Sequence, residues 1–348
     1  MSTQITGPDR REFLGRAGLA GVNVLAGAVA GAAPAELSDT GPDRIPKKSF
    51  GKTGEKVSII GIGGYTLADA PSYEEAERIV HEALDAGVTF FDNAWEYHQG
   101  KAEEWMGKVF KGKRDKVFLM TKVCTHGRDK AVAMKQLEES LKRLQTDRID
   151  LWQVHECVYY NDPERHFAKG GVIEALEEAK KAGKVRYVGF TGHKHPDIHL
   201  AMLARNFPFD SVQMPLNCFD ATFRSFEQRV LPVALKRGMA ALGMKSMGGS
   251  GEQVMNGAVT PQEALRYAMS LPVAVTISGI DSLDVLHQNL AVARGFKPLT
   301  DKEMQALRDR CAAAAADGHL ELYKSTTRYD GDVGREQHGY TPHKALPL

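Results

Sequence analysis

Eight short apolar segments recur along the chain, separated by stretches with helical patterns or glycine-containing turns. In chain order the segments are Val57–Ile62, Thr89–Phe91, Val117–Thr121, Ile149–Val154, Val185–Phe190, Ser211–Met214, Ala240–Met244 and Val273–Ile277. Alternating strands and helices build parallel sheets, and eight such units favour a closed barrel over an open sheet. The sequence therefore predicts an α/β fold, a (β/α)8 TIM barrel.

An open, doubly wound sheet is the alternative that the same alternation allows. That fold places a G-x-G-x-x-G turn directly after an early strand. Here the first apolar segment ends in Gly61-Ile62-Gly63-Gly64 and lacks the third glycine. The closed barrel is therefore the favoured fold.

Polar residues mark the starts of two of the predicted helices. Ser72 is positioned to cap a helix while Glu75 reaches back to it, and Thr260 with Glu263 forms the same capping-box pattern with Pro261 between them. These signals support the alternation of strands and helices.

Further segments flank the predicted barrel. Residues 47–64 contain two extended runs around a Lys52-Thr53-Gly54 turn, which predicts an N-terminal β-hairpin. Beyond Leu320 the helical periodicity is lost and glycine, charged and aromatic residues increase, which predicts a C-terminal loop or tail. We assign residues 36–320 to the barrel and 321–348 to a C-terminal extension.

The N-terminus resembles a twin-arginine export signal. Arg10-Arg11 is followed by Phe13-Leu14 and by an uncharged segment from Ala17 to Ala33, and Ala33-Pro34-Ala35 offers a cleavage site of the A-x-A kind. The uncharged segment is rich in Gly and Ala and too weakly hydrophobic to predict a stable membrane span in the mature chain. We therefore expect residues 1–35 to be a signal peptide, read by the twin-arginine translocation machinery. The expected location is periplasmic after folding in the cytoplasm.

The charge balance and the cysteines argue against several functions. Lysine and arginine total 45 and aspartate and glutamate 44, giving a net charge of +1. Nucleic-acid binding relies on an excess of positive charge, so it is not expected here. The four cysteines show no C-x-x-C spacing, so neither a cysteine-bound metal nor an iron–sulfur cluster is expected.

Four chemically compatible side chains follow the ends of three neighbouring predicted strands. Asp92 and Tyr97 follow the second strand, Lys122 ends the third and His155 ends the fourth. The carboxyl ends of barrel strands meet on one face, so these groups should lie together. A nearby Lys⁺ should lower the pKa of Tyr97 from its reference value of about 10, with Asp92 holding the lysine, and His155 could polarise a carbonyl. Such a set can deliver a proton to oxygen while another group delivers hydride to carbon.

The chain from Lys47 to about Gly318 is similar to the aldo/keto reductases. The similarity rests on SFGKTGEKVSIIGIGG at 49–64, FFDNAWEY at 90–97, Thr121-Lys122, Gln153-Val154-His155, Gly189-Phe190-Thr191, Gln213 and GIDSLDVLHQNL at 279–290. The resemblance implies a TIM barrel that binds NADP(H), less often NAD(H), and transfers hydride between nicotinamide and an aldehyde, ketone or alcohol. It implies Tyr97, Lys122, Asp92 and His155 as the catalytic residues. It also allows Tyr323, Tyr329 and Tyr340 to lie at the substrate pocket, although an exposed tail is an equal alternative.

The resemblance also implies a set of cofactor-binding positions. Thr191 and Gln213 would bind the carboxamide, Gln288 and Asn289 would reach the adenine, and Gly248 and Gly249 would offer backbone N–H groups to the pyrophosphate. Met244 stands where the family often has a tyrosine stacked on nicotinamide. Asp281 follows the eighth strand, where it would repel a 2′-phosphate, accept from a ribose hydroxyl or cap a helix. Trp95 is a candidate wall of the substrate pocket.

Two other functions stay open from the sequence. A metal-dependent barrel hydrolase would use His193-x-His195 with His155, although such enzymes usually place H-x-H on the first strand. A regulatory barrel would bind the nucleotide without significant turnover. No metal is expected in the favoured interpretation.

Overall fold

The computed structural model describes residues 36–124 and 129–342. The predicted signal peptide at 1–35 and the last six residues of the predicted extension lie outside these ranges. No helix within the described ranges has the length and apolar character needed to cross a membrane.

Eight parallel strands close into a barrel, which confirms the predicted (β/α)8 fold. They are β3 (Ile60–Gly63), β4 (Phe90–Asp92), β5 (Phe118–Val123), β6 (Ile149–Val154), β7 (Val185–Thr191), β8 (Ser211–Pro215), β9 (Ala240–Met244) and β10 (Val275–Gly279). Each strand pairs with its neighbour in sequence, and β10 closes the ring by pairing with both β9 and β3. Their carboxyl ends therefore form one rim.

Burial on both faces explains why the strands are continuous apolar runs. All six residues of β5 and all six of β6 are buried, because one face packs inside the barrel and the other against helices. The inner face is filled by an apolar cluster that includes Phe90, Phe118 and Leu151. The barrel interior is thus a packed core, and chemistry is confined to the rim.

Helices surround the barrel and precede or follow each strand. They are α1 (Gly64–Leu67), α2 (Tyr73–Ala86), α3 (Lys101–Val109), α4 (Lys130–Arg143), α5 (Asp162–His166), α6 (Val172–Lys181), α7 (Pro196–Ala204), α8 (Phe226–Arg229), α9 (Leu231–Lys236), α10 (Glu252–Met255), α11 (Pro261–Ser270), α12 (Leu283–Ala293), α13 (Asp301–Ala315), α14 (Leu322–Ser325) and α15 (Asp332–Gln337). Single 3₁₀ turns occupy Tyr97–Gly100 and Arg114–Lys116.

The predicted helix caps are found with one difference. The Ser72 side chain accepts from the backbone N–H of Glu75 at the start of α2, and Thr260 with Glu263 forms a complete capping box at the start of α11. Glu75 does not reach back to Ser72 as expected. Its carboxylate instead accepts from Arg78 at 3.2 Å, one turn further along α2.

The predicted hairpin closes the amino-terminal end of the barrel. Strands β1 (Lys47–Ser49) and β2 (Lys56–Ser58) pair antiparallel. Between them, Phe50 is fully buried with its ring centroid 4.7 Å from that of Phe118 inside the barrel. Phe50 of the hairpin therefore packs into the barrel core and covers its amino-terminal end.

The described part of the C-terminal extension is folded and anchored. Lys324 is buried with its ammonium 2.6 Å from Asp220, 2.8 Å from Glu321 and 2.7 Å from the carbonyl oxygen of Phe223. Burial of charged groups is tolerated only when they are paired in this way. The extension is therefore not a detached tail, because Glu321, Tyr323, Lys324, Asp330 and Arg335 are buried, although Ser325–Arg328 are exposed.

Replacing Lys324 with Met should strongly destabilise the protein. The change leaves the carboxylates of Asp220 and Glu321 buried together without their cation, which costs about 3–5 kcal/mol in comparable cases. Denaturant unfolding followed by fluorescence measures the loss. Lys302→Met, at an exposed position of α13, is the control and should change stability by less than about 0.5 kcal/mol. Equal unfolding midpoints for the two variants would contradict the anchoring role.

Candidate active site

The rim brings together the four side chains that the sequence singled out. Asp92 is the last residue of β4, Lys122 lies in β5 and His155 directly follows β6. Tyr97 begins the 3₁₀ turn after β4, and its ring lies 5.8 Å from the His155 ring, edge to face. Their convergence follows from the closed barrel.

Lys122 is the centre of this group. Its ammonium contacts the Asp92 carboxylate, donates to the carbonyl oxygen of Asn93 at 2.8 Å and lies 3.3 Å from the Tyr97 hydroxyl. Only 1% of Lys122 and 3% of Asp92 is exposed, so water screens their attraction weakly. The pair fixes a cation beside the phenol oxygen.

The pKa of Tyr97 lies above its reference value of about 10, and not below it as expected from Lys122. Burial and the carboxylates of Asp92, Glu96 and Glu156 together raise the pKa of Tyr97 well above 10. Asp92 contacts Lys122 directly, and its negative charge opposes the effect of the lysine on the phenol. Tyr97 is therefore held as a neutral phenol, which can donate a proton.

Glu96 is a site residue that the sequence reasoning missed. Its carboxylate contacts Nδ1 of His155, and its second oxygen, Oε2, is buried without a hydrogen-bond partner in the described part of the chain. A signal was available, because Glu96 directly precedes Tyr97 in the FFDNAWEY block. Tyr65, just after β3, was also missed; it is 54% exposed and its ring meets that of Tyr97 edge-on at 5.4 Å.

Trp95 does not face the catalytic group, as a wall of the substrate pocket would. Its indole N–H donates to Glu139 of α4 at 2.7 Å, and its ring lies 5.5 Å from the Arg143 guanidinium of the same helix. The side chain therefore packs against a surrounding helix. The aromatic group exposed beside Tyr97 is Tyr65 instead.

Three of the predicted cofactor-binding residues, Thr191, Gln213 and Met244, lie close to Asp92. Gln213 and Thr191 are buried on adjacent strands and pair in register. The Gln213 amide nitrogen donates to Asp92 at 2.8 Å and approaches the Met244 sulfur at 3.7 Å. Its oxygen, Oε1, is buried without a partner in the described ranges. This orphaned acceptor is free for a donor from a bound molecule.

The glycine run after β9 adopts turns that present backbone N–H groups. Gly248 and Gly251 have φ values of +91° and +85°. The N–H of Ser250 donates to the Glu252 carboxylate at 2.7 Å. A Cβ at Gly249 would lie 2.2 Å from the Tyr329 ring, so glycine is required there for the extension to pack. In this structure the glycine-rich turn thus donates a backbone N–H to the Glu252 carboxylate.

The remaining cofactor candidates lie after β10. Asp281 is exposed and accepts from the Ser282 hydroxyl at 3.2 Å; Ser282, not Asp281, is the cap residue of α12. Gln288 is half-buried. Asn289 is buried and donates to the Ser278 hydroxyl at 3.0 Å, which ties α12 to the end of β10. The helix-cap alternative for Asp281 is therefore wrong, and the ligand roles of these residues stay predictions.

Lys245 is held between the rim and the extension. Its ammonium lies 5.3 Å from the Tyr323 ring centroid and 4.8 Å from that of Tyr329. Burial, with smaller contributions from Lys122 and Lys194, lowers the pKa of Lys245 to about 8. The extension therefore covers the carboxyl-terminal end of β9 with aromatic rings.

A buried histidine joins the rim to the extension. Nε2 of His193 lies 2.7 Å from the Glu156 carboxylate, and Nδ1 lies 3.0 Å from the carbonyl oxygen of Tyr323. Both partners are acceptors, so each ring nitrogen of His193 faces an oxygen to which it can donate. Burial alone would raise the pKa of Glu156, but the His193 charge, together with His155 and the N–H of Gly331, holds it well below its usual range.

These contacts argue against the metal-hydrolase alternative. His193 is committed to Glu156 and Tyr323, and His195 caps α7 by accepting from the N–H of Asp197 at 3.2 Å. Within residues 36–124 and 129–342, no group of three or more His, Cys, Asp or Glu side chains could hold a metal ion.

Comparison with known proteins gives the family. The sequence model of the aldo/keto reductase family matches residues 59–253, more than half of the chain. The chain belongs to the aldo/keto reductase family. This reductase is 34% identical to the aldo-keto reductase YhdN of Bacillus subtilis over 200 residues, which cover 53% of the chain and 57% of YhdN.

Solved structures share the fold. The holo form of aldo-keto reductase AKR11C1 from Bacillus halodurans is 26% identical, with a TM-score of 0.64 over 76% of this reductase and 95% of that chain. An aldo-keto reductase from Klebsiella pneumoniae, solved in complex with NADPH, is 24% identical, with a TM-score of 0.62 over 76% and 94%. The prediction of an aldo/keto reductase barrel enzyme is confirmed, and the hydrolase and non-catalytic alternatives are not favoured.

Replacing His193 with Asn should loosen the extension of this reductase. The variant cannot donate to both Glu156 and Tyr323, and a hydrogen bond to a charged group contributes about 1.5–3 kcal/mol. Amides of residues 321–337 should therefore exchange with deuterium about tenfold faster or more, measured by mass spectrometry. His287→Asn, which removes an exposed contact with Glu82, is the control. Identical exchange of the segment in both variants would show that His193 does not secure it.

Proposed function

We propose that this protein is an NAD(P)(H)-dependent oxidoreductase that interconverts a small aldehyde or ketone and the alcohol. The observation that carries the proposal is the buried contact of Lys122 with Asp92 beside the Tyr97 hydroxyl, with His155 facing the Tyr97 ring on the same rim. This arrangement suits proton transfer at a carbonyl oxygen and agrees with the family to which the chain belongs.

The residues present fit a nicotinamide nucleotide. The unpartnered Oε1 of Gln213 can accept from a carboxamide N–H, next to Thr191 and Met244. The turn at Gly248–Gly251 carries backbone N–H groups of the kind that bind a pyrophosphate. The Ser250 N–H is donated to the Glu252 carboxylate, which a pyrophosphate would have to displace. We propose NADP(H) as the cofactor, because the Klebsiella pneumoniae neighbour was solved with NADPH.

The proton chemistry follows from the environment of Tyr97. Bound NADPH would supply the hydride to the carbonyl carbon. Tyr97 is kept as a phenol by burial and by Asp92, Glu96 and Glu156, so it is the proton donor to the carbonyl oxygen during reduction. Lys122, 3.3 Å away, stabilises the phenolate that forms, while Asp92 keeps the lysine in place. In oxidation the same tyrosine accepts the proton.

Replacing Tyr97 with Phe should abolish most turnover and preserve nucleotide binding. Loss of a positioned proton donor costs about 10²–10⁴-fold in kcat. Steady-state kinetics with NADPH and a panel of aldehydes and ketones measures the change, and isothermal titration with NADPH and with NADH measures binding. Tyr73→Phe, which removes a surface contact with Glu77 on α2, is the control. Nucleotide binding without Tyr97-dependent turnover would overturn the proposed enzyme activity, and tighter binding of NADH would overturn the choice of cofactor.

We also propose that residues 1–35 direct the folded protein to the periplasm. The support is the Arg10-Arg11 pair before an uncharged segment and the Ala33-Pro34-Ala35 site. Fractionation of a bacterial host that has a twin-arginine pathway should recover mature protein beginning at Glu36. The double variant Arg10→Lys, Arg11→Lys should stay in the cytoplasm, while Arg16→Lys should be exported. Equal distribution of the two variants would reject the signal.

A further inference from the structure

We propose that Cys218 and Cys311 form a disulfide bond in an oxidising medium and so fasten α13 to the loop after β8. Both thiols are free in this structure, and their Sγ atoms lie 3.7 Å apart although the residues are 93 positions apart in sequence. The inference goes beyond the proposed enzyme and depends neither on its activity nor on export. If the protein is exported as proposed, the periplasm is the oxidising compartment.

Cys218 lies in a turn whose backbone is fixed by its neighbour. The side-chain oxygen of Asn217 accepts from the backbone N–H groups of Phe219 at 2.9 Å and Asp220 at 3.0 Å. The amide nitrogen of the same side chain donates to the Tyr323 hydroxyl at 3.0 Å. The turn therefore holds Cys218 in place and also contacts the C-terminal extension.

Cys311 lies on the buried face of α13. Buried residues recur every three or four positions along this helix, and Cys311 is one of them. The helix is tied to α11 by two contacts close to the cysteine: Arg308 lies 3.1 Å from the Tyr267 hydroxyl, and Arg310 lies 2.8 Å from the Glu263 carboxylate. These contacts fix the rotation of α13 that turns the thiol towards Cys218.

The movement that a covalent bond requires is small. Bonded sulfur atoms lie about 2.05 Å apart, so the two Sγ atoms must approach by less than about 2 Å. Both residues are fully buried. Buried cysteine also packs as a small apolar side chain, and this reduced contact is the state expected in a reducing cytoplasm. Oxidation would convert the contact into a covalent link.

The chemistry is a thiol–disulfide exchange with an external disulfide. One cysteine thiolate attacks a sulfur of that disulfide, which forms a mixed disulfide and releases one external thiol. The second thiolate attacks the protein sulfur of the mixed disulfide, which forms the bond between Cys218 and Cys311 and releases the second external thiol. The protein thiols are oxidised, the external disulfide is reduced, and the two protons pass to the released thiolates.

Production of the protein in two media tests the pairing. Because both thiols are buried in the folded chain, the oxidant should be present while the protein folds. The full-length Arg10→Lys, Arg11→Lys variant is recovered from the cytoplasm of an ordinary bacterial host and of a host whose cytoplasm permits disulfide formation, and free thiols are blocked in acid. Mass spectrometry should show four thiols in the first sample and the loss of two hydrogens in the second.

Peptide mapping then identifies the linked residues. Digestion of the oxidised protein should give one linked pair that joins Cys218 to Cys311. Four free thiols in the oxidising host, or a bond to Cys124 or Cys157, would overturn the inference. Cys311→Ala should abolish the loss of hydrogens, whereas Cys157→Ala, which removes a buried thiol elsewhere, should retain it. The linked peptides of the protein with all four cysteines decide the pairing even where a variant does not fold.

Unfolding in urea tests the fastening of α13. The oxidised protein should unfold at a higher urea concentration than the thiol form, because a link between residues 93 positions apart restricts the unfolded chain. The Cys311→Ala variant should show the same midpoint from both hosts. An equal or lower midpoint for the oxidised protein would overturn the fastening role.

Discussion

The pairing of β10 with β3 is the constraint on which the site depends. Because it closes the sheet, every strand ends at the same rim, and side chains far apart in sequence become neighbours. Asp92 and Gln213 are 121 positions apart, yet they share a hydrogen bond of 2.8 Å. In an open sheet, β4 and β8 would lie four strands apart, and Asp92 and Gln213 could not form this bond.

Two groups of buried ion pairs lie at the rim, one at the catalytic residues and one at the C-terminal extension. Towards the barrel axis, Lys122 and Asp92 support the phenol of Tyr97. Towards solvent, Glu156 and His193 connect the segment after β6 to the C-terminal extension, and Lys324 holds the extension to Asp220. Buried ion pairs are costly to form and more costly to break, so they fix geometry more than they add stability.

The features of the site that depend only on position along a strand could be predicted from the sequence. Asp92, Lys122 and His155 were predictable as neighbours because each lies at or just beyond the end of a predicted strand, and β6 and β9 have the predicted bounds. Features that depend on contacts between residues far apart in sequence could not be predicted. Whether Trp95 or Glu96 faces the catalytic group depends on α4, because Glu139 of that helix accepts a hydrogen bond from the Trp95 indole. The raised pKa of Tyr97 depends on burial and on three carboxylates, and no sequence pattern gives their distances. Residues past 320 lack periodicity because their stability comes from partners such as Asp220, 104 positions before Lys324.

The buried Phe50 of the hairpin limits the routes by which small molecules can reach the barrel interior. Phe50 seals the amino-terminal end against Phe118, and the strand interiors are filled with apolar side chains. Within the described part of the chain, the amino-terminal end of the barrel is therefore closed, and the extension with Tyr323 and Tyr329 lies beside part of the opposite rim. If the proposed function holds, substrate, product and nucleotide all enter and leave at the carboxyl-terminal rim, so the order of binding and release depends on which of them lies deepest.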